Sequence, residues 1–474
     1  MTKTNLKRDF TDGALFFKIT TFAIPIMLTG LLQVFYNMAD KIVVGKFSGD
    51  TLALAAIGSV GTLNTLLVNL TMGIATGGGI VVSQLYGAKK FKEVSEASHT
   101  AVLFSLFAGL FMGAVGFIIS PSVLSIIGTK AELIENATLY FRITMLGMPA
   151  LMAYNFSAAI LRSVGDSRTP LIILSLSGLL NLALNILFVI GFGMTVDGVA
   201  IATIISQYAS ALLVAAVLIR RRSECYAIRL RELRLHGAHL KRMLMIGIPS
   251  GLTSSVYSVA NIALTGAINT FPTEAVTANS IAGSVEGFTY TAMNCFQQAS
   301  MTFTGQNYGA NKPERVRKVL LYSLIQVTCI GIFMGQIQLI FGRELSMLYI
   351  DSADPKKEIV LEYTMEILRV LLNTYFLCGI LEVCSGALRG LGCSMVTMIV
   401  SLVFACGVRV GYIFLVFFNV DSLNTIGQLN YAYPIAWITT ITAYAFAMMI
   451  VWRKLGIWKK KSKNTENEAE LKKA

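Results

Sequence analysis

The chain has 474 residues, of which 55% are hydrophobic and 14% charged, and its mean hydropathy is +0.66. A water-soluble domain does not tolerate that balance on its surface, so the chain belongs in lipid. A formal charge of +13 would suggest nucleic acid in a soluble protein, but here the basic residues cluster in short links between apolar runs, which is a topology signal.

The N-terminal arm (MTKTNLKRDFTDG) is polar and leads into an apolar stretch much longer than a signal h-region, without a small-residue cleavage site. It reads as retained. Stretches of spanning length, roughly 20 residues each, follow at 17–39, 52–80, 98–120, 137–161, 169–194 and 197–219. After a basic link at 220–242 come 243–270, 276–303, 316–341, 359–388, 394–418 and 431–452. Twelve spans place both ends on one side. Alternate links carry 29 of the 39 Lys and Arg residues, with Arg162 and Arg389 counted among them, and the opposite links carry six. The basic side is therefore expected to be cytoplasmic, with both termini there, in a bacterial inner (plasma) membrane. The expected division is an N-lobe at 1–219, a basic cytoplasmic connector at 220–242, a C-lobe at 243–453 and a charged tail at 454–474.

The sequence also repeats itself. Residues 23–91 recur weakly at 247–313, and 155–169 recur at 382–396. YNMADKIVVG (36–45) matches YSVANIALTG (257–266), SQLYGAKK (83–90) matches GQNYGANK (305–312), and ILRSVG (160–165) matches ALRGLG (387–392). Six spans is an even number, so the halves share one orientation about an axis along the membrane normal, which suits alternating access through a cleft between two bundles.

Polar residues at bilayer depth are costly and tend to persist where a partner or a watery cavity receives them. Gln33, Asn37 and Asp40 fall at i, i+4 and i+7 on one face of the first span, extended by Thr29 and Pro25. Pro25 removes a backbone hydrogen bond and makes that helix a candidate for bending. Asp40 reads either as a functional carboxylate or as an interfacial partner of Lys41, and Asn155, Asn181 and Asn185 read as amide glue or as companions of Asp40. In the second half Glu286 stands where Asn64 stands in the first, Glu382 replaces Asn155, and Asn261 replaces Asp40. Symmetry predicts that these positions face a shared cleft; the alternative is a packing ion pair with Arg369 or Arg409. His99, His236 and His239 lie near basic loops and read as solvated, and the seven cysteines form no CxxC pair. Neither a disulfide nor a metal centre is implied. With no intramembrane His and no HExxH or GxSxG motif, an enzyme has no catalytic set.

Pro25 with Asp40 and the run VVGKFSG, then SQLYGAKK, LRSVGDSRTP (161–170) with its echo LRGLG, and GVAIATIISQ (198–207) resemble, in this order, the multidrug and toxic-compound extrusion (MATE) family in its DinF-like branch. The likeness covers essentially all twelve spans. It implies an all-α integral membrane fold of twelve transmembrane helices, in two homologous six-helix bundles with a V-shaped central cleft. It also implies export of cationic amphiphilic compounds coupled to protons or sodium, with no cofactor beyond that ion, by a monomer in contact with membrane lipid. The family's N-lobe ion site maps to Asp40, Tyr140, Asn155, Asn181 and Thr203, while Asn185 stands where the branch often has an aspartate. One remaining carboxylate favours protons over sodium. Gln33, Asn37, Asn64, Asn261, Glu286 and Glu382 are the expected substrate-cleft residues. The rival reading is a flippase for a lipid-linked substrate, which basic cleft residues such as Arg409 would favour.

Overall fold

In hydrocarbon every backbone N–H and C=O needs a partner within the protein, so a long apolar segment has the helix as its simplest stable form. The computed structural model describes residues 9–47, 51–127, 129, 132–350, 355–420 and 425–458, with side chains described except at 37–47, 51–59, 62 and 259. The first half contains α1 (Leu15–Phe47), α2 (Thr51–Gly87), α3 (Phe91–Ile126), α4 (Ile134–Leu146 and Met148–Ser163), α5 (Arg168–Gly191) and α6 (Val196–Arg220). The second contains α7 (Gly237–Ile268), α8 (Thr273–Gly309), α9 (Pro313–Ile340), α10 (Lys357–Gly390), α11 (Ser394–Asn419) and α12 (Ile426–Lys454). Among the described residues there is no strand.

Eight of these helices, together with the Leu15–Tyr36 part of α1 and the Leu63–Gly87 part of α2, are long and apolar enough to cross a bilayer, and the two-part α4 makes an eleventh span. The twelfth, α8, is diluted by Thr289, Ser300, Thr302, Thr304, Gln306 and Asn307, all buried against protein rather than lipid. At 37 residues each, α2 and α8 extend about 55 Å at 1.5 Å per residue, well beyond a hydrocarbon layer of about 30 Å. Their ends project past the apolar runs that the sequence marks, so residues read as link belong to helix.

Backbone breaks fall at identifiable places. The two parts of α4 meet at 46° around Gly147, where Pro149 lacks the N–H that would continue the ladder. By contrast α1 is one helix through Pro25, and the Thr29 hydroxyl donates to the Pro25 carbonyl at 2.7 Å. Wide π turns occupy Ile186–Gly191 in α5 and Ser401–Gly407 and Tyr412–Val416 in α11, the corresponding helices of the two halves.

The repeat holds in three dimensions. Lys89 and Asn311 share a positive φ of 55° and 54°, and Gly165 and Gly392 share 91° and 87°. These are equivalent positions in the two echoes. The halves meet along α2 on α7 and α1 on α8. Small residues let the backbones approach there: a Cβ on Gly73 would stand 2.2 Å from the Gly251 Cα, and one on Gly77 would stand 2.2 Å from the Met243 carbonyl oxygen.

The basic connector docks on α3 through histidine. His99 is 1% exposed; its Nε2 accepts from the Arg229 backbone N–H at 2.9 Å, and its Nδ1 lies 2.7 Å from the Ser95 carbonyl oxygen. The expectation of a solvated side chain fails for His99 because α3 begins at Phe91, which places residue 99 inside the helix and under the connector. Arg221 pairs with the buried Asp166 at 2.6 Å, tying the end of α6 to the start of α5.

Candidate functional site

A cavity of about 550 Å³ lies between the halves. Its walls come from α2 and α4 on one side and from α7, α8, α10, α11 and α12 on the other. The C-terminal wall is aromatic and polar, with Tyr257, Tyr290, Tyr375, Tyr433 and Trp437 around Glu286 and Arg409. Arg409 donates through Nη1 to the Asn261 amide oxygen at 2.8 Å, and its guanidinium sits 4.2 Å from the centre of the Tyr433 ring. Among the described residues its Nε has no hydrogen-bond partner, and neither does Glu286 Oε2. Glu382, 7% exposed, accepts from the Gln297 amide.

None of the ion pairs within 4.0 Å among the described residues joins Glu286 or Glu382 to Arg369 or Arg409; the pairs sit at the two rims of the bundle. Glu366 likewise accepts from the Gly427 backbone N–H at 3.0 Å, not from Arg369. Glu286 and Glu382 therefore line the cavity without a direct ionic partner among the described residues.

Asn155, Asn261, Glu286 and Glu382 thus share the cavity, and the Asn155 amide donates to Thr71 at 3.2 Å. Tyr140, Asn181, Asn185 and Thr203 do not line it. They belong to the interior of the N-terminal half, where Tyr140 packs in one cluster with Leu182, Val199 and Ala200. The Asn185 amide donates to Asn181 at 3.3 Å, and the Thr203 hydroxyl is satisfied by its own helix at Val199. Pro25 is buried, Gln33 is exposed, Asn64 is half-buried, and none of the three lines the cavity. The side chains of Asn37 and Asp40 lie outside the described residues.

Arg162 and Arg389 are the cavity residues that the sequence reading misplaced. The link count places both in basic links, yet α4 runs to Ser163 and α10 to Gly390, and both arginines line the cavity at its floor. A signal was present: each echo, LRSVG and LRGLG, keeps an arginine in the same place.

Just beyond that floor, toward the end of the bundle that carries the connector, the halves lock together reciprocally. The Gln84 amide of α2 donates to the Gly390 carbonyl at 2.7 Å, and the Gln306 amide of α8 donates to the Ser163 carbonyl at 2.7 Å. Gln84 matches Gln306 and Ser163 matches Gly390 in the repeat, so the two bonds are one bond made twice across the axis. Each glutamine oxygen is also held, Gln84 by Arg242 and Gln306 by the Phe10 backbone N–H at 3.2 Å. Glycine is required beside them, since a Cβ on Gly87 would stand 1.9 Å from the Gln306 carbonyl oxygen, and one on Gly309 would stand 1.9 Å from that of Gln84. The N-terminal arm seals the same end. Phe10 stacks on Phe303 with ring centres 3.9 Å apart, Lys312 bonds Asp12 at 2.7 Å, and Arg315 bonds the Gly13 carbonyl at 3.2 Å.

Two membrane-spanning repeats around a cavity closed at one end are the architecture of a multi-pass membrane transporter, not an enzyme. The chain belongs to the multidrug and toxic-compound extrusion family: the MatE family model matches residues 25–187 and 249–415, once in each half. It is 26% identical over 459 residues to the probable multidrug resistance protein YoeA of Bacillus subtilis, covering 94% of both chains. It is 25% identical over 385 residues to a FAD transporter of Shewanella oneidensis, covering 79% of this chain and 82% of that one. A solved multidrug resistance MATE family transporter of the MOP superfamily, in an outward-facing conformation, superposes with a TM-score of 0.88 at 22% identity, over 96% of this chain and 100% of that chain. That likeness gives the twelve-helix fold.

Proposed function

We propose that the chain is a secondary active exporter of small amphiphilic molecules in a bacterial inner membrane, driven by protons and working by alternating access as a monomer. The observation that carries this is the cavity between the two repeats, closed at one end by a reciprocal interlobe lock. The closed end bears the basic links, so it faces the cytoplasm together with both termini. A lock made of two neutral amide bonds and an arm is easily broken and remade, as a rocking pair of lobes requires. Glu286, half-buried in the cavity wall among tyrosines, suits the cationic part of an amphiphile.

Asp40 is the coupling acid in this reading. Asn181 and Asn185 form a neutral amide pair, and amides can donate to an ionised carboxylate or accept from a protonated one, so one acid suffices for a proton switch. Sodium would gain from a second formal charge that Asn185 does not supply. Proteoliposomes carrying an imposed pH gradient and a fluorescent amphiphile test both points. Export driven by the pH gradient without sodium, and lost in Asp40→Asn, is expected. Export driven by a sodium gradient at equal pH would overturn the proton assignment, and undiminished export by Asp40→Asn would remove its role. A flippase for a lipid-linked substrate is the second reading, favoured by Arg162, Arg389 and Arg409 in the cavity. A volume of about 550 Å³ fits one small molecule, not a large headgroup.

A further inference from the structure

The cavity holds two charged sets at different places. Glu286 and Arg409 lie on the wall with the tyrosines, whereas Arg162 and Arg389 lie on the floor, one from each repeat and next to the locking carbonyls of Ser163 and Gly390. Each stands in the last turn of its helix, where a cation is favoured by the helix dipole. That explains a positive charge at the helix end but not its burial. Arg220 and Arg453 also close their helices, yet neither lines the cavity. Arg389 is only 8% exposed, and among the described residues its Nε has no hydrogen-bond partner. No ion pair among the described residues reaches either guanidinium. Glu382, two turns before Arg389 on α10, accepts from Gln297 and feels the charge of Arg389 without bonding to it directly. Across the described lining, three arginines face two carboxylates.

The Arg389 guanidinium, buried and with its Nε open, is a built donor site for an oxyanion, and the half-buried Arg162 brings a second guanidinium to the same cavity from the opposite lobe. We infer that Arg162 and Arg389 form an anion-binding floor that takes a carboxylate or other oxyanion carried by the transported molecule. The exporter reading is the basis of this inference, which narrows the cargo to amphiphiles bearing an anionic group as well as a cation, that is, zwitterions. The wall receives the cationic end and the floor the anionic end. Because the floor is assembled from both repeats, it is complete only while the lobes are locked beneath it.

The test uses two dyes that share one fluorophore: rhodamine 110, a zwitterion with a free carboxylate, and rhodamine 123, its methyl ester and a plain cation. Binding is measured on the full chain in nanodiscs of phosphatidylcholine by fluorescence anisotropy. Arg162→Gln and Arg389→Gln should each weaken rhodamine 110 by roughly tenfold or more, the effect of losing a charge-assisted hydrogen bond, while rhodamine 123 changes little. Arg389→Lys should recover part of the rhodamine 110 affinity. Should Arg389→Gln not fold, Arg162→Gln and Arg389→Lys carry the comparison. Equal weakening of both dyes, or of neither, overturns the anion floor and leaves the exporter reading in place. Wild-type protein that binds neither dye and transports neither overturns the exporter reading itself. If native mass spectrometry shows an anionic lipid retained by the wild type and lost in both variants, the floor belongs to a lipid phosphate and the cargo assignment fails.

Discussion

Replacing both locking glutamines by leucine, Gln84→Leu with Gln306→Leu, removes two crossing amide donors at nearly constant volume. Each donor reaches a carbonyl of the opposite lobe at 2.7 Å in a buried setting. A neutral bond of this kind contributes about 0.5–1.5 kcal/mol net, and leaving the carbonyl dry raises the loss to about 1–3 kcal/mol. Once the lobes part, water reaches those carbonyls, so the penalty applies to the closed state alone. Taken as additive, the pair destabilises closure by about 2–6 kcal/mol, which favours the open form by roughly 30-fold at the least. Hydrogen–deuterium exchange in nanodiscs reads this opening at residues 305–312, where the lock is made, and along the arm beyond Phe10, whose own N–H is left out because Gln306→Leu removes its acceptor. Exchange across residues 11–14 and 305–312 should accelerate by about that factor, with residues in the distant α5–α6 interior unchanged. Wild-type exchange rates at both segments, in a variant that still melts as the wild type does, would refute the idea that these bonds hold the lobes shut.

Other outcomes follow from the same geometry. Gly87→Ala should lower the melting temperature, because its Cβ would stand 1.9 Å from a backbone oxygen, whereas Gly283→Ala, with nothing within 4 Å, should be neutral or stabilising by up to about 1 kcal/mol. His99→Ala leaves the Arg229 N–H without its acceptor and should cost about 1–3 kcal/mol, read as faster protease cleavage of the connector at 220–236. Burial pushes the Cys225 thiol up to about 12, so alkylation at pH 7.5 should be far slower there than at an ordinary cysteine; rapid stoichiometric labelling would contradict the packing of the connector. The hydrogen bond from Lys312 holds Asp12 below the usual carboxylate range, so its tether on the arm is fully present above that range and is lost as pH falls through the lowered value. Exchange at residues 9–14, corrected for intrinsic rate, should therefore be flat across neutral pH and rise only at strongly acid pH.

Hydropathy made the spans legible because backbone satisfaction in lipid leaves so few alternatives. The echoes at 83–90 and 305–312 made the repeat legible, because equivalent turns require equivalent residues. Glu286, Glu382, Asn155 and Asn261 were legible as cavity residues from polarity at depth together with symmetry. Arg162, Arg389 and His99 were not, for one common reason. A span read from hydropathy stops where apolar residues stop, while the helices continue through polar turns covered by another part of the protein. Counting charge by link then assigns to water a side chain that protein has enclosed. Tertiary partners also lie beyond a sequence reading: nothing local to Gln84 indicates that its partner is the carbonyl of residue 390.

The crossed glutamines have a further consequence for how the molecule was put together. In a two-fold homodimer, if residue i of one subunit touches residue j of the other, then j touches i. Gln84 to Gly390 and Gln306 to Ser163 obey that rule within a single chain. The closure is therefore an isologous subunit interface with its subunits fused by the connector. Neither half contains both a donor and its acceptor, so a six-helix unit could shut this end only by pairing with a second copy in the same orientation. A single chain, unlike a homodimer, lets the two sides of such an interface differ, and here they do: Glu286 and Glu382 in one half stand where the other has Asn64 and Asn155.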